Sequence, residues 1–309
     1  MQLSSKVKLP CRPQLELHRR HLWEKNEHLF ETRPRFMKRK LLLARFLVGA
    51  LVICCMCDSA CKAKAEEVKD FGRDRLNSSP RHADWVDIKS SSRTIKAFVV
   101  YPERKDKAPA VLVISEIFGL TDWVRSLCDE LAENGVIAIA PDLHGKKFED
   151  LDAARKATSE LPKGQVKSDL DATADYTLTN IPSCNGTLAV CGFCWGGGVT
   201  FAYANENPKL KAAYSFYGTA PDSADKVKNI ACPVYGFYAE NDERVNATIP
   251  KAEELMKAAH KNYEPVIYKG AGHGFMRSGE PINPNMREGD KKTRDEAWAR
   301  WKPLLKQLP

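Results

Sequence analysis

The chain has 309 residues and 43% of them are hydrophobic, which is enough to bury the core of one large α/β domain. Its formal net charge of +8 lies at one end: residues 1–65 hold 14 Lys and Arg against 5 Asp and Glu, whereas residues 66–309 hold 34 against 35. A nearly neutral body argues against a basic nucleic-acid face, so we expect no nucleic-acid partner.

The first 65 residues predict an export signal ahead of the folded protein. Residues 37–65 combine a basic patch, an apolar run interrupted only by Arg45 and a small-x-small site, which predicts a signal peptide starting at Met37. Residues 1–36 are polar and aperiodic, and we interpret them as a disordered, non-native upstream extension. We therefore expect a periplasmic or secreted protein with no stable membrane insertion after cleavage. An uncleaved N-terminal membrane anchor is the alternative.

The number and spacing of the cysteines limit the redox and metal chemistry that we expect of the chain. Five of the ten cysteines lie in residues 1–65, and an odd number remains after them: Cys128, Cys184, Cys191, Cys194 and Cys232. An odd count in an exported domain leaves at least one thiol free or paired between chains. No CxxC…CxxC arrangement and no Cys/His pair has zinc spacing, so we expect no metal.

The hydrophobic pattern predicts a linker at 66–82 and one folded domain at 83–309, with a polar excursion at 143–163 on the pocket rim. Within the domain, strand and helix periods alternate. The predicted elements are an antiparallel hairpin at 86–89 and 95–100, strands at 109–114, 136–140, 188–190, 212–217, 234–238 and 265–268, and helices at 123–134, 166–180, 195–205, 248–261 and one ending near 305. This alternation predicts a mostly parallel central sheet with helices on both faces.

Reactive side chains follow four of the predicted strands. They are, in chain order, Glu116, Cys194, Asp242 and His273. Ligands of parallel sheets collect at the carboxyl ends of the strands, so we expect these side chains to share one site. The order nucleophile, acid, histidine is that of the α/β-hydrolase triads.

Cys194 lies in the stretch VCGFCWGGG, where a strand turns sharply into a helix. A nucleophile on such a turn needs small residues two positions to either side, and Gly192 and Gly196 supply them. The stretch is neither GxGxxG nor a phosphate loop with Lys-Ser/Thr, so we expect no nucleotide and no other cofactor.

Four motifs of the chain resemble the dienelactone hydrolase family, the carboxymethylenebutenolidase-like cysteine branch of the α/β-hydrolase superfamily. The resemblance extends from about residue 84 to 307. The matching motifs are SEIFG at 115–119, GFCWGG at 192–197, Asn241-Asp242 and GHGFMR at 272–277.

The resemblance implies an α/β-hydrolase domain that cleaves an ester or lactone, dienelactone-like and carboxylate-bearing. By this resemblance Cys194 is the nucleophile, His273 the base and Asp242 its orienting acid. Glu116 would accept a hydrogen bond from the Cys194 thiol at rest and help to deprotonate it. Arg277 would bind a substrate carboxylate.

Elementary chemistry is consistent with these roles. A free cysteine thiol, with a pKa of about 8.5, is only slightly ionised at neutral pH and needs a base such as His273. The thioacyl-enzyme forms through an oxyanion that requires two N–H donors, and the backbone of Trp195 and Ile117 offers them. Arg277 lies four residues after His273 and its guanidinium suits a carboxylate.

One part of the family pattern is missing. The family uses a second arginine from the region after the fourth strand, but this region reads Leu-His-Gly-Lys-Lys at 143–147. Dienelactone itself is therefore left open as the substrate, and we expect a broader small-molecule ester or lactone.

Two other functions stay open at this point. Cys191 and Cys194 form a CxxC, the motif of dithiol–disulfide oxidoreductases, although Cys191 falls inside the predicted strand. The second alternative is a catalytically silent α/β-hydrolase homologue that binds a ligand. We expect a monomer in each case.

Overall fold

The structure is a computed structural model that describes residues 70–91 and 93–309. Its centre is one eight-stranded sheet with the strand order β1-β2-β4-β3-β5-β6-β7-β8. The strands are β1 (Ala83–Lys89), β2 (Thr94–Val100), β3 (Ala108–Ile114), β4 (Ile137–Pro141), β5 (Cys184–Phe193), β6 (Ala213–Phe216), β7 (Val234–Asn241) and β8 (Tyr263–Gly272). Only the pairs β1–β2 and β2–β4 are antiparallel among them. The predicted, mostly parallel sheet is confirmed.

Nine α-helices and one short 3₁₀ turn (Ala224–Lys226) accompany the sheet in the described residues. The helices are α1 (Arg73–Ser78), α2 (Asp122–Glu133), α3 (Leu151–Ser159), α4 (Gln165–Asn180), α5 (Trp195–Glu206), α6 (Glu243–Asn246), α7 (Ile249–Ala258), α8 (Phe275–Ser278) and α9 (Glu288–Lys306). None of these helices has the length and hydropathy that a membrane span requires.

Strand β3 shows why the sheet is covered on both faces. All seven of its residues are buried. Successive side chains of a strand point to opposite faces, and Val111 and Val113 join one hydrophobic cluster while Leu112 and Ile114 join the other. The first cluster includes residues of α2 and α9, and the second includes residues of α4, α5 and α7. The predicted placement of helices on both faces is confirmed.

An aromatic ladder supports the carboxyl end of the sheet. Phe193, Phe216 and Phe237 are register neighbours on β5, β6 and β7, and consecutive rings stack with centroids 4.8 and 4.2 Å apart. Trp301 of α9 packs against Phe216 at 4.6 Å. Such aromatic pairs add stability beyond their buried area, so the strand ends that precede the loops are rigid.

The structure differs from two sequence predictions about irregular segments. The polar excursion at 143–163 contains α3, because Asp150 accepts a hydrogen bond from the N–H of Ala153 at 2.7 Å and caps this helix. The described part of the predicted linker, residues 70–82, contains α1 and lies against α2. We call residues 70–81 the N-terminal strap. The predicted extension at 1–36 and signal peptide at 37–65 lie outside the described residues.

A buried ion cluster joins the strap to the rest of the fold. Arg294 of α9 donates to Glu130 of α2 at 2.7 Å and also to Glu280. Arg75 of the strap pairs with the same two carboxylates, at 3.5 Å from Glu280. The Glu280 side chain is 1% exposed and that of Arg294 is 7% exposed, so each charge depends on its partners.

Replacement of Arg294 by methionine should destabilise the protein, because it leaves two buried carboxylates with Arg75 as their remaining partner in the cluster. Breaking a buried ion pair by removing one partner costs about 3–5 kcal/mol. We expect a loss of that order in the free energy of unfolding, measured by urea denaturation. The matched control is Lys291→Met on the same helix, whose pair with Asp295 is exposed and should matter little. Equal losses for the two variants would contradict this account.

Candidate active site

Cys194 lies at the junction of β5 and α5 in a backbone conformation that side chains rarely adopt. Its φ is 55° and its ψ is −116°. The turn is held by backbone hydrogen bonds: the N–H of Cys194 donates to Phe216 at 3.0 Å, and its carbonyl accepts from Gly197 at 3.0 Å. Such strain persists only where the surroundings enforce it and is typical of a nucleophile elbow.

The glycines on either side of Cys194 are required by close backbone contacts. A β-carbon at Gly192 would lie 2.1 Å from the carbonyl oxygen of Gly196. A β-carbon at Gly196 would lie 2.5 Å from the carbonyl oxygens of both Ile114 and Ser115. The predicted need for glycine at both positions is confirmed, and any other residue would push the turn away from the sheet.

The register of β7 and β8 brings Asp242 and His273 together. Asn241 and Gly272 are partners in this parallel pair, and the next residue of each strand enters the site. His273 Nδ1 donates to Asp242 Oδ2 at 2.5 Å. Asp242 is nearly buried, and the histidine side chain is 34% exposed, so the ring is reachable from outside.

The environment of His273 favours its charged form. Burial of the ring opposes protonation, but the hydrogen bond to Asp242 and the neighbouring Cys194 sulfur outweigh this effect and raise the pKa of His273 to about 10. The structure therefore brings the predicted nucleophile, base and acid into one site, with the sulfur and the carboxylate both acting on the same imidazole.

Glu116 and Arg277 pair with each other, which differs from the predicted arrangement. Arg277 Nε donates to Glu116 Oε2 at 2.8 Å, and the Tyr217 hydroxyl donates to Oε1 at 3.4 Å. The sequence predicts a hydrogen bond from the Cys194 thiol to Glu116 instead. Arg277 is a charged donor and forms a strong hydrogen bond with the buried Glu116 carboxylate, whereas a thiol is only a weak donor.

Tyr217 is a site residue that the sequence reasoning missed. It is fully buried and has a positive φ of 40°, and its ring lies edge-on to His273 with centroids 5.1 Å apart. Burial and the nearby Glu116 carboxylate raise the pKa of its hydroxyl, which therefore stays a neutral donor. Tyr217 lies inside the predicted strand 212–217, whereas β6 of the structure ends at Phe216, so Tyr217 is the first residue after the strand.

The two predicted oxyanion donors follow neighbouring strands of the sheet. Ile114 of β3 pairs with Gly192 of β5, and Ile117 and Trp195 each come three residues after these partners. Trp195 is the first residue of α5, where backbone N–H groups have no acceptor within the helix. Both backbone segments therefore arrive beside the Cys194 turn.

The loop after β4 contributes a second histidine beside Trp195. His144 packs edge-on against the Trp195 ring at 5.0 Å and shares a hydrogen bond of 3.0 Å with the Thr158 hydroxyl. Burial, and then the charge of Arg93, lower the pKa of His144 to about 4. His144 is therefore neutral near Trp195, in contrast to His273.

A cleft of about 420 Å³ opens beside Glu116 and Arg277. Its apolar walls are the rings of Phe71, Phe118, Trp123 and Phe148. Small-molecule sites are typically largely apolar with a few polar groups. The charges of Glu116 and Arg277 and the aromatic walls meet in this cleft, which none of Cys194, Asp242 and His273 lines.

Among the described residues, the cysteines other than Cys194 form no second reactive site. Cys191 is fully buried within β5, and burial raises the pKa of its thiol well above the usual value. The five cysteines of the described residues are all free thiols. A buried, protonated thiol is inert, which disfavours the dithiol alternative. No group of three or more potential metal ligands occurs in this part of the chain.

Comparison with known proteins gives one consistent result. Residues 95–308 match the family model described as "Dienelactone hydrolase family". A Salmonella typhi protein named "Putative carboxymethylenebutenolidase" is 33% identical over 216 residues, which cover 64% of this chain and 80% of that protein. An Escherichia coli K12 protein of the same name is 31% identical and is covered to 79%.

A solved structure gives the same assignment. The crystal structure of "Putative Dienelactone Hydrolase" from Klebsiella pneumoniae superimposes with a TM-score of 0.66 at 29% identity, covering 74% of this chain and 99% of that one. The chain belongs to the dienelactone hydrolase family, a family of carboxylic ester hydrolases within the α/β-hydrolase superfamily.

Proposed function

We propose that the chain hydrolyses small esters or lactones with Cys194 as nucleophile, His273 as proton carrier and Asp242 as its orienting acid. The observation that carries the proposal is the His273–Asp242 hydrogen bond of 2.5 Å beside the strained Cys194 turn. An acid, an imidazole and a sulfur in this order are the components of nucleophilic acyl transfer.

The raised pKa of His273 favours a protonated imidazole beside the sulfur. In the proposed mechanism Cys194 transfers its proton to His273, and the thiolate beside the imidazolium attacks the substrate. Asp242 stabilises this charge distribution by holding Nδ1–H, which leaves Nε2 to face the reacting atoms.

The reaction then proceeds in two balanced halves. The Cys194 sulfur forms a bond to the carbonyl carbon, and the carbonyl electrons move to oxygen. The C–O bond of the ester breaks as the oxygen re-forms its double bond, and the leaving alkoxide takes the proton from His273. Water then attacks the thioester and gives a proton to His273. The C–S bond breaks, and the products are a carboxylic acid and the restored thiolate–imidazolium pair.

The backbone N–H groups of Ile117 and Trp195 would bind the oxyanion. The support for these donors is their position, because each comes three residues after the paired residues Ile114 of β3 and Gly192 of β5. Loss of one such donor typically costs about 3 kcal/mol of transition-state stabilisation. Neutral His144 packs on the Trp195 ring.

Arg277 would recognise a substrate carboxylate while it remains paired with Glu116. Only its Nε is engaged by Glu116, so the Nη donors of the guanidinium are directed elsewhere. A guanidinium that is fixed on one side by a carboxylate presents the other donors at a defined position. We therefore infer that carboxylate-bearing esters and lactones are preferred over uncharged ones.

Substitution of Cys194 by alanine should abolish hydrolysis of p-nitrophenyl acetate. Removing the nucleophile of an acyl-transfer triad costs at least about 10³-fold in kcat. Cys191→Ala is the matched control, because it removes a buried thiol three residues away and should leave turnover within a few-fold of the wild type. Intact mass measurement after rapid quenching should show one acyl group on the wild type and none on Cys194→Ala. Equal losses in both variants, together with lost disulfide exchange, would favour the dithiol reaction, and no turnover by the wild type would favour a silent ligand-binding protein.

The pKa of His273 should fall when either of its charged neighbours is removed. Asp242→Asn and Cys194→Ala each delete a group that raises this pKa, so each variant should titrate its imidazole below the wild-type value of about 10. The measurement is the NMR shift of the His273 ring from neutral to alkaline pH, assigned with His273→Gln. Cys191→Ala should leave the titration in place. An unchanged curve in Cys194→Ala would show that the sulfur and the imidazole do not share a proton.

A further inference from the structure

We propose that the N-terminal strap, residues 70–81, is a wall of the substrate cleft that limits the acyl group to short chains, with Phe71 as the limiting residue. The inference deepens the proposed function and rests on it. The strap precedes residues 95–308, the part of the chain that the family model matches, so the size limit would be a property added to the family core.

Asp70 fixes one end of the strap on the start of α2. Its carboxylate accepts from the backbone N–H of Asp122 at 2.9 Å and of Trp123 at 3.3 Å, where the helix presents unpaired donors and its positive dipole end. Lys147, on the loop after β4, donates to Asp70 at 2.7 Å and to Asp122 at 3.1 Å. The strap thereby connects two rims of the cleft.

The rest of the strap follows α2 through charged pairs. Arg73 donates to Asp122 at 3.0 Å, and Arg81 binds Asp129 through two hydrogen bonds of 2.8 and 2.7 Å. Arg75 enters the buried cluster with Glu130. These contacts are spread along the strap and along the helix, so they hold the whole segment in one position.

Gly72 allows the strap to approach the helix this closely. Its φ is +104°, and a β-carbon there would lie 2.8 Å from the Asp122 carbonyl oxygen and 2.9 Å from the Ser126 β-carbon. Only glycine adopts this positive φ without strain and lacks the β-carbon that would collide with α2. Phe71 stands between Asp70 and Gly72, so its backbone is fixed on both sides.

Phe71 lines the cleft that Glu116 and Arg277 also line, and it packs on the same hydrophobic cluster as Trp123. The cations of the cleft are already paired, Arg277 with Glu116 and Lys147 with Asp70. Apart from Thr121 and Glu149, the surface left for the uncharged part of a substrate is aromatic. A short apolar acyl group fits such a surface, and a longer chain would have to displace the anchored Phe71 ring.

The test compares p-nitrophenyl octanoate with p-nitrophenyl acetate for the full chain and its variants. Phe71→Ala should raise the ratio of kcat/KM for octanoate over acetate by at least about tenfold, the scale on which a hydrophobic pocket discriminates chain length. Phe71→Leu, which keeps an apolar side chain on the core, should raise the ratio by a smaller factor. This variant provides the test if Phe71→Ala fails to fold.

The matched control is Leu76→Ala, also on the strap. Leu76 packs against the core and does not line the cleft, so this variant weakens the strap without enlarging the cavity and should leave the ratio near the wild-type value. A wild-type ratio in both Phe71 variants, with acetate turnover intact, would overturn the strap inference and leave the proposed function standing. Absence of ester turnover in the wild type would contradict both the strap inference and the proposed function.

Discussion

The turn at Cys194 is the constraint on which the rest of the site depends. A cysteine at positive φ is unfavourable by itself, and the turn persists because the sheet and α5 approach so closely that Gly192 and Gly196 have no room for a β-carbon. The backbone N–H of Cys194 is bound by Phe216 of the next strand. The sulfur is therefore positioned by the geometry of the sheet and its stacked aromatic residues.

Charge pairing organises the groups around this sulfur. His273 is held charged by Asp242 and the sulfur, and Arg277 is held by Glu116, so each cation has its own carboxylate. Tyr217 connects the two pairs, since it donates to Glu116 and packs against His273. Under the proposed function, catalysis and substrate recognition would use separate ion pairs that share one neutral neighbour.

Sequence reasoning identified what the chain order and strand periods determine. Parallel strands end at one edge of the sheet, so Cys194, Asp242 and His273 could be placed together before any coordinates were known. Tyr217 was missed because it continues an apolar run, so the sequence pattern assigns it to the predicted strand as a core residue. The strap was missed for a different reason: its polar sequence has no periodicity, and its order comes from ion pairs with residues about fifty positions away. Arg277 and the Cys194 thiol are both candidate hydrogen-bond donors to Glu116, and the spacing of these residues in the sequence does not show which of them binds it.

The aromatic ladder below the elbow has a consequence for biosynthesis. Trp301, which packs on the middle ring Phe216, belongs to α9, and the imidazole of His273 follows β8. A growing polypeptide that has already emerged with its cysteine would still lack both the support and the partner of that sulfur. Under the proposed function, a nascent chain that stops before these residues would carry an unactivated thiol.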